Sequence, residues 1–293
     1  MLRSTSLHTV NRADSTFLKH LKQFDLIAIP GLTSRMVTLD REAYVLPSIE
    51  WCNANNKAWY SPWLLSGGSL PKIALNEVLG IAQSIIKRYP QQPSWVVVNE
   101  AFAAGVARPT PWSKAGDTAW IEAAFCAAAE VNPNAQLILK DYRARDRGHW
   151  QGILRFVNAA IERGVPIHGV SVQVHANALP PIPVAQLDWL FTQIRLRGLA
   201  LWLDETLSWD LIWKSGKRMP SAAAEQVQSI NYKAWGELAT KYGADVLGIW
   251  HPWDGHTPHW NKYPNQCGLW RQDWSPKPAL QQFFAQRLKP LSV

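Results

Sequence analysis

No stretch of about eighteen apolar residues occurs in the 293-residue sequence, so nothing in it reads as a helix that spans a bilayer. The opening MLRSTSLHTVNRAD lacks the continuous apolar run of a secretory leader. The expectation is a soluble chain with no membrane partner, secreted if a leader has been removed and cytoplasmic otherwise. Cysteine is scarce: Cys52, Cys126 and Cys267 are far apart and form no CxxC pair, which argues against a disulfide framework or a zinc site and predicts buried thiols. The net charge is +8, yet Lys and Arg are scattered among acids with no dense basic run, so nucleic acid is not the expected partner. No Gly-rich phosphate loop follows the first predicted strands. Repeats and low-complexity tracts are also missing, and residues 1–293 are expected to form a single domain.

What is present is an apolar fraction of 47%, enough for a large core, and seventeen tryptophans. Flat indole faces suit sugar rings, although a Trp-rich core is the plainer reading. Short β-branched runs at 24–30, 57–65, 94–100, 135–142, 168–176, 199–205 and 245–253, with a weaker one at 6–10, predict eight strands. Helical periodicity predicts helices at 15–23, 41–53, 74–88, 117–130, 149–163, 184–197, 222–242 and 278–288. In the helix predicted from 117, Ile121, Ala124, Phe125 and Ala128 share one face, with Asp117 as the candidate N-cap. This alternation is that of an α/β protein, a (β/α)8 barrel, with a doubly wound open sheet as the alternative.

Chemistry in such a barrel sits at the C-terminal ends of the strands. There the sequence has Glu100, Asp141 with Tyr142, Gln173 with His175, Asp204 with Glu205, and Trp250, Trp253 and Asp254. Carboxylates on the fourth and seventh strands, facing each other across the mouth, suit glycosidic bond cleavage: one protonates the leaving oxygen and the other attacks the anomeric carbon. Asp204 and Glu205 compete for the second role, and strict strand alternation, which sets Glu205 on the face of Leu201 and Leu203 and Asp204 on the other, favours Glu205. Asp254 reads equally as a turn cap or as a support for the site. His251, His256 and His259 lie in a Pro/Gly-rich loop without i,i+4 spacing, so neither a metal nor any other cofactor is expected.

The ordered set of NEA after a valine-rich strand, DY on the next, QVH on the one after, a carboxylate ending the seventh and WHPWD on the eighth resembles glycoside hydrolase family 10, the endo-β-1,4-xylanase family. The stretches AWIEAAFCAAAEVNPNAQLILKDY (119–142) and ERGVPIHGVSVQVH (162–175) carry the resemblance most densely within roughly 15–285. It implies Glu100 as acid/base, Asn99 as the group that holds the sugar 2-hydroxyl, and Glu205 as nucleophile. His175, with Gln173 beside it, is implied to hydrogen-bond the nucleophile, Trp250 and Trp260 to be sugar platforms, and Tyr142 to line the cleft wall.

Two departures stand out. Where the family usually has TPENEMKW, this chain has IPGLTSRM (29–36), with only Arg35 where the family has lysine. Where the family has WHSQ, this chain has WLLS (63–66), so Leu64 replaces a sugar-binding histidine, a loss of about 1–3 kcal/mol per unpartnered hydroxyl. Trp59 and Trp63 are candidates to compensate by stacking. The expected function is a retaining endo-β-1,4-glycanase, xylanase-like, acting as a monomer on xylan or a related β-glycan. A carbohydrate-binding pseudoenzyme is the alternative, and a nucleic-acid binder ranks third.

Overall fold

Valine- and leucine-rich runs buried on both faces become parallel strands closed off from solvent on either side. The computed structural model of the chain describes residues 1–7, 14–31, 33, 45–68, 70–179, 182–212, 217–255 and 266–285. Its parallel sheet contains β1 (Leu2–Ser6), β2 (Leu26–Ala28), β3 (Ala58–Tyr60), β4 (Leu65–Ser66), β5 (Ser94–Asn99), β8 (Gln136–Asp141), β9 (Gly169–Val172), β10 (Val174–Leu179), β11 (Ala200–Ile212) and β12 (Val246–Ile249). A short hairpin, β6 (Phe102–Ala103) and β7 (Val106–Ala107), follows β5. The pairing runs β3–β2–β1–β12–β11–β9–β8–β5–β4. Since β3 and β4 are halves of one stretch, the first pairing with β2 and the second with β5, the order returns on itself as a (β/α)8 barrel.

Around the sheet lie α1 (Ser15–Leu21), α2 (Leu46–Ala54), α3 (Leu75–Arg88), α4 (Ala119–Val131), α5 (Arg147–Glu162), α6 (Val184–Arg195), α7 (Ser221–Lys241) and α8 (Pro278–Ala285). Local chemistry sets their ends. Asp14 accepts from the backbone N–H of Thr16 and Phe17 at 2.9 and 3.0 Å to cap α1, and Asp146 accepts from His149 N at 3.0 Å to cap α5. In α4 the predicted face of Ile121, Ala124, Phe125 and Ala128 is buried, but the N-cap position falls on Thr118; Asp117 instead receives Ala119 N at 2.9 Å.

The core divides in two. Leu201, Leu203, Val97 and Leu139 pack outward against helix residues such as Leu187, Leu190 and Phe191. Inside the barrel lie Val96, Ile138, Ala200, Trp202, Val246 and Trp250. Among the described residues eight of fifteen tryptophans are buried, including Trp95, Trp120, Trp150 and Trp235, so about half of the tryptophan here belongs to the core.

Four expectations are corrected. The first strand is Leu2–Ser6, which the predicted 6–10 meets only at Ser6, residues 8–10 lying outside the described ones: Ser4, Thr5 and Ser6 are almost wholly buried, and a polar strand leaves no apolar pattern to read. The third predicted strand divides into β3 and β4, and the sixth divides at Gln173 into β9 and β10. Of the cysteines, Cys52 and Cys267 are buried, which pushes each thiol up to about 12, but Cys126 is exposed.

Candidate active site

Glu100 follows directly on β5, with φ of +52°, a backbone conformation that residues with side chains rarely adopt. Its N–H donates to Lys140 O at 3.0 Å, and Gly67 N donates to Asn99 O at 2.8 Å. A Cβ on Gly67 would lie 2.5 Å from Glu100 O, so only glycine lets the end of β4 approach this turn. The hairpin after Glu100 is pinned from outside the barrel: Phe102 N donates to Asp141 Oδ2 at 3.2 Å. Asp141 also accepts from His149 Nε2 at 3.1 Å, and His149 Nδ1 accepts from Gly105 N at 3.1 Å, which fixes the proton on Nε2. Burial raises the Asp141 carboxyl above its ordinary value, with His149 partly offsetting this.

Gln173, at the break between β9 and β10, donates from Nε2 to Asn99 Oδ1 at 2.9 Å and to Glu100 Oε1 at 3.0 Å. Because Asn99 Oδ1 is taken, its amide N–H₂ is the end left to meet a ligand. Two residues on, His175 Nε2 lies 3.0 Å from Glu205 Oε1. Positions i and i+2 of an extended chain are separated by roughly 7 Å, so one short segment holds both carboxylates at one mouth. Glu205 is 6% exposed and Glu100 half-buried.

Simple alternation fails at Glu205. On β11, Leu203 pairs with Leu247 but Thr206 with Ile249, so three steps along β11 match two along β12. This bulge turns Glu205 away from the helix-facing side of Leu201 and Leu203 and brings it inward beside Asp204. Both carboxylates then meet Lys140, whose Nζ lies 3.0 Å from Asp204 Oδ2 and 2.8 Å from Glu205 Oε2. Asp204 is further bonded by Tyr60 Oη at 2.9 Å and by Ser171 Oγ. Burial by itself would raise the Glu205 carboxyl, but the Lys140 charge and the His175 hydrogen bond outweigh it and hold the group at about 2. Burial likewise opposes the Lys140 charge, yet the two carboxylates hold its ammonium above the ordinary lysine value.

Lys140 is the residue that sequence reading missed. The signal was present as a lone lysine in LILKD, since a charge in a strand buried on both faces needs a partner.

The aromatic expectations divide. Tyr142 lines a groove of about 560 Å³ together with Arg143, Arg145, His175, Asn177 and Trp209, and its hydroxyl accepts from Arg108. Trp250 is only 3% exposed, with Trp63 at 5.7 Å and tilted by 30°, so an open platform at Trp250 is not what the structure has; Trp63 retains partial exposure. Trp59 packs edge-on to Tyr89 at 5.0 Å in the outer core and does not reach the mouth. Leu64 also lies in the outer core, so Trp63 rather than Leu64 is the inward residue of that stretch. Asp254 takes the structural reading: it accepts Gly268 N at 2.8 Å and pairs with buried Lys277 at 2.7 Å. Arg35, Trp260, His256 and His259 lie outside the described residues, and no cluster of metal-ligating side chains occurs among the described ones. No helix among them is long and apolar enough to cross a membrane.

The sequence profile of glycosyl hydrolase family 10 matches residues 51–286. The chain belongs to that family. A β-1,4-xylanase from Dictyoglomus thermophilum is 29% identical over 171 residues, 56% of this chain and 49% of the relative. A thermostable celloxylanase from Thermoclostridium stercorarium is 27% identical over 226 residues, 71% of this chain and 57% of the relative. The chain thus spans about half the length of the curated relatives it matches. Among solved structures, native xylanase 10B from Thermotoga maritima shares the fold with a TM-score of 0.84 at 17% identity, covering 97% of this chain and 93% of that one. The profile begins at 51, so the divergent IPGLTSRM segment falls before it.

Proposed function

We propose that residues 1–293 form a single catalytic barrel, acting as a monomer, that hydrolyses β-1,4-linked xylan with retention of anomeric configuration. Glu100 is the acid/base and Glu205 the nucleophile. The observation that carries the reading is the Gln173–His175 pair, which grips Glu100 and Glu205 from one strand edge. Retaining enzymes need the two carboxyls about 5–5.5 Å apart. The names of the relatives favour xylan among β-glycans.

In the first step a Glu205 oxygen bonds to the anomeric carbon as the glycosidic bond breaks, and Glu100 gives its proton to the departing oxygen. In the second, Glu100 takes a proton from water, the water oxygen bonds to the anomeric carbon, and Glu205 leaves as a carboxylate. The Asn99 amide, oriented by Gln173, donates to the sugar hydroxyl next to the reacting carbon. Tyr142 and Trp209 line the groove that reaches His175, and a sugar chain leaving or entering the mouth would run along them. Binding alone has no use for an ionised carboxylate held opposite a second carboxyl, and this disfavours the pseudoenzyme reading.

The test is hydrolysis of an aryl β-xylobioside and of a polysaccharide panel. Glu205→Ala abolishes turnover with an unchanged circular dichroism spectrum. Glu100→Ala keeps the burst from an activated aryl leaving group, which needs little protonation, and slows the second step. Wild type and Glu205→Ala equally inert on every glycan would install the pseudoenzyme reading, and a product released with inverted configuration would remove the covalent intermediate.

A further inference from the structure

Lys140 is wholly buried in mid-strand, pointing into the barrel with Ile138 while Leu137, Leu139 and Asp141 point out. Its Nζ touches Asp204 at 3.0 Å and Glu205 at 2.8 Å and lies 5.2 Å from the Trp250 ring and 5.7 Å from that of Trp63. One cation thus serves two carboxylates. Asp204 differs from its neighbour: it is 1% exposed and saturated by Lys140, Tyr60 and Ser171, so it is closed to substrate. Glu205 has Lys140 on one oxygen and His175, partly exposed at the mouth, on the other. Such a triad is costly to bury, and a hydrophobic core would fill the same space without that cost. Its geometry therefore calls for a role.

We propose that Lys140 and Asp204 are positioning residues that balance the charge of the nucleophile through the two steps of the reaction, Lys140 being shared with Glu205 in the free protein and neutralised by Asp204 alone when Glu205 is esterified. The inference rests on the hydrolase reading given above. When Glu205 bonds to the sugar its carboxylate becomes a neutral ester. Without Asp204, Lys140 would then stand as an unpaired buried cation, and forming the ester would be opposed. Without Lys140, two adjacent carboxylates would repel, and Glu205 would be a poorer leaving group in the second step. The bulge that turns Glu205 inward beside Asp204 is what allows both to share one ammonium. Among the described residues the other groups facing this triad are Tyr60 from β3, His175 from β10 and, beyond Gln173, Glu100. The low value of the Glu205 carboxyl, with Lys140 the foremost opponent of burial, agrees with this arrangement.

The experiment is the pH profile of kcat/KM for the full chain on 4-nitrophenyl β-xylobioside, with burst amplitudes, for wild type, Lys140→Met, Asp204→Asn and Lys140→Met/Asp204→Asn. In Lys140→Met the acid limb moves up by at least one pH unit, a loss of about tenfold or more at its foot. The double variant, which removes one charge of each sign, moves the limb back by a comparable amount; a merely structural lysine would make the second substitution additive rather than compensating. Asp204→Asn commits Lys140 wholly to Glu205: kcat/KM falls about tenfold, KM rises and the burst disappears because the first step becomes limiting. If Lys140→Met does not fold, Asp204→Asn and the double variant still decide. Turnover with an unmoved acid limb, with no rescue in the double variant, or with an intact burst in Asp204→Asn overturns this inference alone. A wild-type chain without turnover overturns the hydrolase reading and this one with it.

Discussion

Acid should strip a definite share of stability from this barrel through one carboxyl. The Glu205 carboxyl is held at about 2 against an ordinary 4.5, and its side chain is 9% exposed, so the interaction is little weakened by water. At about 1.4 kcal/mol per tenfold change, that drop is worth on the order of 3 kcal/mol. Because the folded value is depressed, the stabilisation is fully present above the unfolded value and disappears as pH falls through the folded one. The window therefore runs from about pH 5 down to about pH 2, and by pH 3 about 2 kcal/mol of the total is already gone. Lys140 works in the opposite direction: its raised value gives stability that is present below the ordinary lysine range and lost only in strong alkali. The assay is urea unfolding of wild type and Glu205→Gln at pH 6.5 and pH 3. The glutamine keeps the shape and removes the titration, while Asp204 still neutralises Lys140. The wild-type advantage should shrink by about 2 kcal/mol between the two pH values. A constant gap would refute the ion-paired state assigned to Glu205.

Gln173→Leu deprives Asn99 Oδ1 and Glu100 Oε1 of their shared donor; a loss of about 1–3 kcal/mol should lower kcat/KM roughly 10- to 100-fold in steady-state assays, with the melting temperature changed far less than the rate. Asp254→Ala strands Lys277 as a buried cation at a cost of about 3–5 kcal/mol, so calorimetry should find melting roughly 10 °C lower, while kcat at 25 °C remains that of wild type.

Much of the architecture could be read from the chain because its signals are local. The valine run of β5 and the apolar face of α4 repeat at 2 and 3.6 residues whatever lies beyond them. Glu100 at the end of a strand, and Gln173 and His175 at i and i+2, were visible for the same reason. The first strand was misplaced because its Ser4-Thr5-Ser6 is buried without being apolar.

What the sequence by itself determined is the alternation of elements, the polar groups at the strand ends and the motifs resembling family 10 that single out Glu100 and Glu205 as candidates. Only the closed barrel decided which of those groups meet. Strict alternation would have turned Glu205 to the helices, and the bulge against β12 turns it to the mouth. Likewise Leu64 and Trp59 went to the outer core while Trp63 and the overlooked Lys140 came inward. Lys140 and Asp204 are 64 positions apart and meet across the barrel interior. Periodicity acts within a few residues of one strand, whereas register, bulges and buried ion pairs are settled by neighbours that the chain reaches only once the ring has closed.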